Sequence, residues 1–423
     1  MKKLAILMIM MLVFSMVCFA QGAQEAAKAD PNAPKKLTMM FSSGGAGKAL
    51  TAAAEKFGKE RGVEMEVLTF PVGEVYEKQI LALSSKQGTP DVISVDDTWM
   101  PVLHPFLEPM KNVDPTVAAE LVPAYKEAFA LKGNQYALPV RLGGQAIFYR
   151  KDILEKAGID PSTLTTWEAI LDAVRKVNDP ANKVYGWVGG YSEDSYFNTN
   201  WLTILSGYGL DIMNEDMTKF NFLDPKAIKA TEMFVELTKC ASPSILSYGY
   251  NEQIAAFQDG SAVMGIVWTP RFQAINKAGL PHSGQFDVLP FNPIGEGTDP
   301  AKAATRVNGW GLGVNKYTPN KALAEEFINY VASFDTQLYL AIENSNSPVV
   351  SKIFENADFL KTVPVAEKMN TAIAKGITRP MHVRWAEMES IIKTNLQRVL
   401  IGEVSVEDGL KACQTGCEKL LKD

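Results

Sequence analysis

The chain has 423 residues, which is longer than a typical single domain and fits two or three. Hydrophobic residues make up 47% and charged residues 21%, the ordinary balance of a globular protein, so extended disorder is not expected. The formal net charge of -6 is mildly acidic and argues against nucleic acid or anionic lipid as the main partner.

The first twenty residues have the pattern of an export signal. Two lysines precede an apolar run over residues 4–17 that is too short for a comfortable membrane span. Cys18 and Ala20 then stand three and one residues before a cleavage point. We therefore predict a Sec signal peptide over residues 1–20 and a periplasmic or extracellular protein, with lipid attachment at Cys18 as the alternative.

An alternation of strands and helices follows a polar, proline-containing segment. Residues 21–36 predict a flexible tether. Strands are predicted over 37–41, 63–70 and 91–95, with helical spacing of apolar residues between them. This βαβαβ order predicts an α/β fold with a mostly parallel sheet covered by helices.

A second strand region begins near residue 136. Two short extended runs are predicted on either side of Gly143 and Gly144, and a further strand is predicted over 307–314. Thr165 and Glu168 have the spacing of a capping box at the start of a helix.

The cysteines and histidines give little support for a metal or redox site. Three cysteines remain after the leader, at spacings that do not form a disulfide framework. Cys413 and Cys417 fall on one apolar helical stripe, which favours buried thiols. The three histidines are isolated in sequence. We predict no metal and no cofactor.

Enzyme signatures are incomplete. Residues 42–49 lack the first glycine and the final Ser or Thr of a phosphate-binding loop. Asp96 and Asp97 are a candidate carboxylate pair, but adjacent residues on a strand point to opposite faces, so we predict a solvated strand end. The expectation is a protein without enzyme activity.

Three tryptophans lie at the ends of strand-like runs: Trp99, Trp268 and Trp310. Ligand sites in open α/β sheets lie at such strand ends. A sugar has an apolar C–H face on which an indole can pack, while neighbouring polar groups bind its hydroxyls. The alternative is that each tryptophan belongs to the core, where large aromatic side chains are usually buried.

Several motifs in order resemble those of the extracellular solute-binding protein family that includes maltose-binding protein. They are TPDVISVDD over 89–97, FLEP over 106–109, GNQYALP over 133–139, IFYRKD over 147–152, TWE over 166–168, FQDGSAVM over 257–264, GWGLGV over 309–314 and AEEF over 324–327. The resemblance covers nearly the whole chain after the leader.

The resemblance implies a two-lobed clamp of the type II periplasmic-binding-protein class, each lobe with a mostly parallel sheet flanked by helices. Three hinge crossings are expected near Leu138, Val307 and Ser345. The implied N-terminal lobe comprises residues 37–138 and 308–345, and the implied C-terminal lobe comprises residues 139–307 and 346–423.

The resemblance also implies the solute-binding component of an ABC importer, which delivers a small solute to permease subunits in the inner membrane. A mono- or oligosaccharide is the expected solute, and a monomer is the expected state. Family positions suggest Ser43, Gly44, Asp97, Trp99, Trp268 and Trp310 as ligand contacts. Arg141, Tyr248 and Arg384 are added because they are polar residues near crossings or strand ends.

Two other functions stay open at this stage. A binding protein for a phosphorylated or otherwise charged polyol would use arginines as an anion clamp, so two of them should converge at the site. The candidates are Arg141, Arg271, Arg306, Arg379 and Arg384. A secreted glycoside hydrolase or lyase would instead need two carboxylates that face each other across one cleft.

Overall fold

The computed structural model describes residues 35–43, 45–192 and 194–422. The predicted signal peptide, Cys18, most of the predicted tether and Gly44 therefore lie outside the described residues. The strands are β1 (Lys35–Ser42), β2 (Val63–Phe70), β3 (Val92–Asp96), β4 (Leu107–Glu108), β5 (Ala130–Leu131), β6 (Asn134–Gln135), β7 (Ala137–Arg150), β8 (Tyr185–Val188), β9 (Ala262–Trp268), β10 (Phe286–Val288), β11 (Thr305–Asn315) and β12 (Gly376–Ile377).

Helices cover most of the remaining chain. They are α1 (Gly45–Arg61), α2 (Val72–Ser84), α3 (Met100–Leu103), α4 (Pro115–Glu120), α5 (Pro123–Ala128), α6 (Lys151–Lys156), α7 (Trp167–Val177), α8 (Asp194–Gly207), α9 (Pro225–Thr238), α10 (Tyr250–Gln258), α11 (Phe272–Ile275), α12 (Lys321–Ala332), α13 (Phe334–Asn344), α14 (Ala357–Thr362), α15 (Ala366–Ile373), α16 (Trp385–Leu400) and α17 (Val406–Lys422). Within the described ranges, no helix is both long and apolar enough to cross a membrane.

The main sheet has the strand order β2-β1-β3-β11-β7-β9-β8. Strand β1 pairs in parallel with β2 and β3, as the alternation of strands and helices predicts. Strands β7 and β11 pair antiparallel with each other, β11 also with β3, and β7 also with β9. The sheet as a whole is therefore mixed, because β11 borders the parallel group β2-β1-β3 and β7 borders the parallel pair of β8 and β9.

Strand β7 is one 14-residue strand where two short runs were expected. Gly143 and Gly144 lie inside it because other chain segments approach there too closely for side chains. A Cβ atom on Gly144 would lie 2.2 Å from Cγ2 of Ile373, and one on Gly143 would lie 3.3 Å from Pro270. The glycine pair thus serves close packing along the strand, not a turn.

The capping box expected at Thr165 is wrong by one residue. Thr166 caps α7, and its hydroxyl accepts the N–H of Ala169 at 3.1 Å. Glu168 does not reach back to the cap. It accepts hydrogen bonds from the Tyr208 hydroxyl at 2.9 Å and from the Glu296 N–H at 3.1 Å.

The C-terminal helices carry the predicted buried thiols. Cys413 and Cys417 lie on α17 with no exposed surface, which confirms the prediction from their helical spacing. Their sulfur atoms face the backbone carbonyls of Ile392 and Met388 on α16. Burial raises the pKa of the Cys417 thiol to about 12, so this group stays neutral and unreactive at physiological pH.

Candidate functional site

One face of the sheet brings the polar and aromatic candidates together. The register of β7 and β11 pairs Trp310 with Arg141 and Asn308 with Gly143. Because side chains alternate along a strand and paired residues share a face, Trp310, Asn308 and Arg141 project to the same side. Trp310 therefore lies inside β11, not at its end as the sequence suggested.

Trp268 ends strand β9 and pairs with Gln145 on β7, which places it on that same face. A Cβ atom on Gly143 would lie 3.4 Å from Cε3 of the indole, so the glycine gives Trp268 room beside the sheet. Trp268 is half-buried, which leaves part of its ring open to a ligand.

An aromatic cluster surrounds Trp310. Its ring centroid lies 5.2 Å from that of Phe41 and 5.2 Å from that of Trp99, and Trp99 lies 4.9 Å from Tyr76 on α2. Phe41 is fully buried, whereas Trp99, Trp310 and Tyr76 are half-buried. The rings pack on one another and still expose surface, so the structure is compatible with both the packing role and the binding role that the sequence left open.

The carboxylates of Asp96 and Asp97 converge instead of pointing to opposite faces. Strand β3 ends at Asp96, and a short 3-10 helix begins at Asp97, so the alternation of a strand no longer applies. Both side chains are buried, and Nη2 of Arg379 donates to Asp96 at 2.8 Å and to Asp97 at 3.4 Å. The prediction of a solvated strand end is wrong.

The amide of Asn308 joins this cluster from β11. It donates to Asp96 at 2.9 Å and to Asp97 at 3.2 Å, and the Gly309 N–H donates to Asp97 at 3.1 Å. Asp96 and Asp97 lie side by side on one arginine and do not face each other across a gap, so this pair lacks the separation that glycoside hydrolysis requires.

Burial and mutual repulsion separate the pKa values of the two carboxyls. Burial and the charge of Asp96 raise the pKa of Asp97 to about 8, although Arg379 acts in the opposite direction. Burial also disfavours the charged form of Asp96, but the Arg379 charge and hydrogen bonds from Thr98 and Asn308 outweigh it and lower the pKa of Asp96. The pair is therefore expected to share one negative charge at neutral pH.

This assignment predicts a pH effect on stability. Because the pKa of Asp97 is higher in the folded chain than the ordinary 3.8, the folded state binds the proton more tightly. The contribution of Asp97 to the free energy of unfolding is then fully present below about pH 4 and is lost as pH rises through about 8.

Denaturant unfolding of the wild type and Asp97→Asn between pH 4 and 9 measures the effect. The free energy of unfolding of the wild type minus that of the variant should fall with rising pH and level off above about pH 8. The variant carries an amide that cannot ionise, so only the wild type shows this dependence. Groups that do not interact with Asp97 cancel in the difference. A difference that rises with pH would mean that Asp97 is the ionised member of the pair.

Arg141 is buried on β7, and its Nη1 lies 3.4 Å from the side-chain oxygen of Asn346. Burial lowers the pKa of Arg141 to about 10, with the neighbouring Tyr196 acting in the opposite direction. A second candidate arginine, Arg271, donates to the Tyr196 hydroxyl at 3.2 Å.

The other three candidate arginines are paired with carboxylates. Arg306 contacts Asp211 at 2.7 Å, Arg379 contacts Asp96, and Arg384 makes two 2.8 Å hydrogen bonds with Glu387.

The remaining predicted contacts lie in different settings. Ser43 is exposed after β1, where its N–H donates to the Phe70 carbonyl at 2.7 Å, at the same sheet edge as Asp97. Tyr248 packs against the core, and its carbonyl accepts the N–H groups of Tyr191 and Ser192. Arg384 precedes α16 and pairs with Glu387 in the first turn of that helix.

Sequence reasoning missed Asn308 as part of the candidate site, and it named Arg379 as a possible anion clamp instead of as the partner of Asp96 and Asp97. Asn308 had a detectable signal, since it stands two residues before Trp310 in a strand and must share its face. Arg379 had no local signal, because its carboxylate partners lie 283 and 282 residues earlier in the chain.

The fold and this site define a two-lobed binding protein. The family model of bacterial extracellular solute-binding proteins matches residues 42–337, and the chain belongs to that family, whose members are the substrate-binding components of ABC importers. The family resemblance drawn from the motifs is confirmed.

Individual relatives agree with this assignment. A "probable ABC transporter-binding protein" of Deinococcus radiodurans is 24% identical over 325 residues, which cover 75% of each chain. A maltose-bound MalE3 structure from T. maritima is 25% identical with a TM-score of 0.81 and covers 92% of this chain and 99% of that one. A solute-binding protein from Thermotoga lettingae, bound with alpha-D-tagatose, is 25% identical with a TM-score of 0.80 and covers 92% and 100%.

Proposed function

We propose that this protein captures a small saccharide between its two lobes and delivers it to ABC permease subunits in the membrane. The observation that carries the proposal is the set of half-buried tryptophans, Trp99, Trp268 and Trp310, beside hydrogen-bonding side chains on one sheet face. Indole rings can pack on the C–H face of a sugar, and the polar side chains can bind its hydroxyls. The sugars named for the two solved relatives support this solute class.

The hinge belongs to the same proposal. Strand β11 pairs with β3, strand β7 pairs with β9, and the two long strands pair with each other, so together they connect the two groups of strands without a break. With the segment near Ser345 they form three crossings, and the lobes comprise residues 37–138 with 308–345 and 139–307 with 346–423. Bending at the crossings would close the lobes over the solute. The protein acts as an exported monomer without enzyme activity of its own.

A thermal-shift screen tests the solute class. The panel contains neutral mono- and oligosaccharides, polyols and sugar acids, with amino acids of similar size as the control set. A solute at a hundred times its dissociation constant adds about 2.7 kcal/mol to the free energy of unfolding, which a melting curve detects. We expect stabilisation by a saccharide or its derivative. Stabilisation by the amino acids alone would reject the proposal.

A further inference from the structure

We propose that the solute is an acidic sugar derivative and that Arg141 binds its oxyanion, a carboxylate or a phosphate. This inference rests on the proposed function, because it assigns the chemical class of the solute in the same site. The neutral sugars of the solved relatives would not require such a residue.

The argument begins with how this chain buries other arginines. Arg150, Arg306 and Arg379 are each at most 6% exposed, and each has a carboxylate within 2.8 Å, from Asp152, Asp211 and Asp96 respectively. Burying a guanidinium costs several kcal/mol unless an opposite charge and hydrogen bonds compensate it. In these three places the chain itself supplies the compensation.

Arg141 is the exception among these buried arginines. It is 9% exposed, yet in the part of the chain that the structure describes no carboxylate lies within ion-pair distance of it. Its one hydrogen bond there is the long 3.4 Å contact with Asn346, whose own amide is held by the Val140 carbonyl at 3.0 Å. A guanidinium offers five N–H donors, so most of the binding capacity of Arg141 is left for another molecule.

The position of Arg141 fits a contact with the same ligand that packs on the tryptophans. Arg141 and Trp310 are direct partners across β7 and β11. Side chains in such pairs have Cβ atoms about 4.5–5.5 Å apart. A sugar ring on Trp310 can therefore place an acidic substituent against the guanidinium, which forms paired hydrogen bonds with carboxylate and phosphate oxygens.

The neighbouring side chains add donors and a second cation. Arg271 donates to the Tyr196 hydroxyl at 3.2 Å and lies 3.0 Å from the centroid of the Tyr250 ring. Arg271 follows Pro270, which packs beside Gly143 on the strand that carries Arg141. A second cation beside this strand suits an anion better than a neutral hydroxyl group.

Calorimetric titration with matched pairs tests the inference. The pairs are glucose with glucuronate, galactose with galacturonate, and glucose with glucose 6-phosphate, so that the carboxylate and phosphate arms are separate. We expect at least one acid to bind about 10- to 150-fold more tightly than its neutral partner, the range of a charge-assisted hydrogen bond. Arg141→Gln should abolish this preference, and Arg141→Lys should keep part of it.

The control variant is Arg398→Gln, which removes an exposed arginine paired with Glu403 and should keep the preference. The melting temperature of solute-free Arg141→Gln should be unchanged or higher, because the variant removes a buried charge that has no carboxylate partner among the described residues. A lower melting temperature with unchanged acid preference would assign Arg141 to the fold and overturn the inference. Equal or tighter binding of the neutral sugars would overturn it while the proposed function stands. No binding by either kind would overturn the inference, and no stabilisation by any saccharide of the thermal-shift panel would overturn both.

Discussion

Replacing Arg379 by methionine is expected to lower the free energy of unfolding by about 3–5 kcal/mol, the cost of leaving a buried charge without its partner. Arg379 lies against Asp96 and Asp97, and its Nη1 lies 3.7 Å from Glu389 on α16. Without the guanidinium, Asp96 and Asp97 lose its positive charge and keep the neutral amide of Asn308 as a donor. Denaturant unfolding at pH 7.5 measures the loss.

The control for this prediction is Arg398→Met. Arg398 pairs with Glu403 at 2.8 Å, but both side chains are largely exposed. Exposed pairs contribute about 0–1 kcal/mol, so this variant should be close to the wild type in stability. If the two variants lose similar small amounts, the cluster around Arg379 does not stabilise the fold as described.

Replacing Trp268 by alanine is expected to weaken solute binding by about 2–4 kcal/mol, or roughly 30- to 1000-fold, with little change in melting temperature. The physical reason is that Trp268 stands at the end of β9 with part of its ring exposed, so the ring can contribute to binding while contributing less to the core. Calorimetry and thermal unfolding on the same variant measure both quantities.

Trp187 provides the matched comparison. It is only 1% exposed on β8, so Trp187→Ala should cost about 3–5 kcal/mol of stability. Any fraction of that variant that folds should keep its affinity for the solute. If Trp268→Ala shows the pattern expected for Trp187, with lost stability and unchanged affinity, Trp268 belongs to the core and the site must lie elsewhere.

Local sequence patterns predicted the strands and helices that depend on the spacing of apolar residues within a short segment. Strand β2 has the predicted bounds of 63–70, and the buried stripe of Cys413 and Cys417 follows from helical spacing. Hydrophobic periodicity carries this information within a few residues. The same patterns failed at Gly143 and Gly144, where the glycines indicate a break unless the packing of Ile373 and Pro270 is known.

The sequence predicted the aromatic residues of the candidate site, but it did not predict how the charged residues pair there. The tryptophans were found because they stand in or next to recognisable strands. The convergence of Asp96 and Asp97 depends on the chain leaving the strand conformation after Asp96. Their partner Arg379 comes from a distant segment, and long-range pairing of that kind leaves no local pattern.

Small-angle X-ray scattering with and without the identified solute tests the central claim most directly, that the two lobes enclose a small saccharide. Calorimetry first sets a concentration that saturates the wild type, and Trp268→Ala at the same concentration serves as the unsaturated control. We predict that the radius of gyration of the wild type decreases on saturation, while that of the variant stays at its solute-free value. An unchanged scattering profile of the saturated wild type would contradict closure of the lobes around the solute.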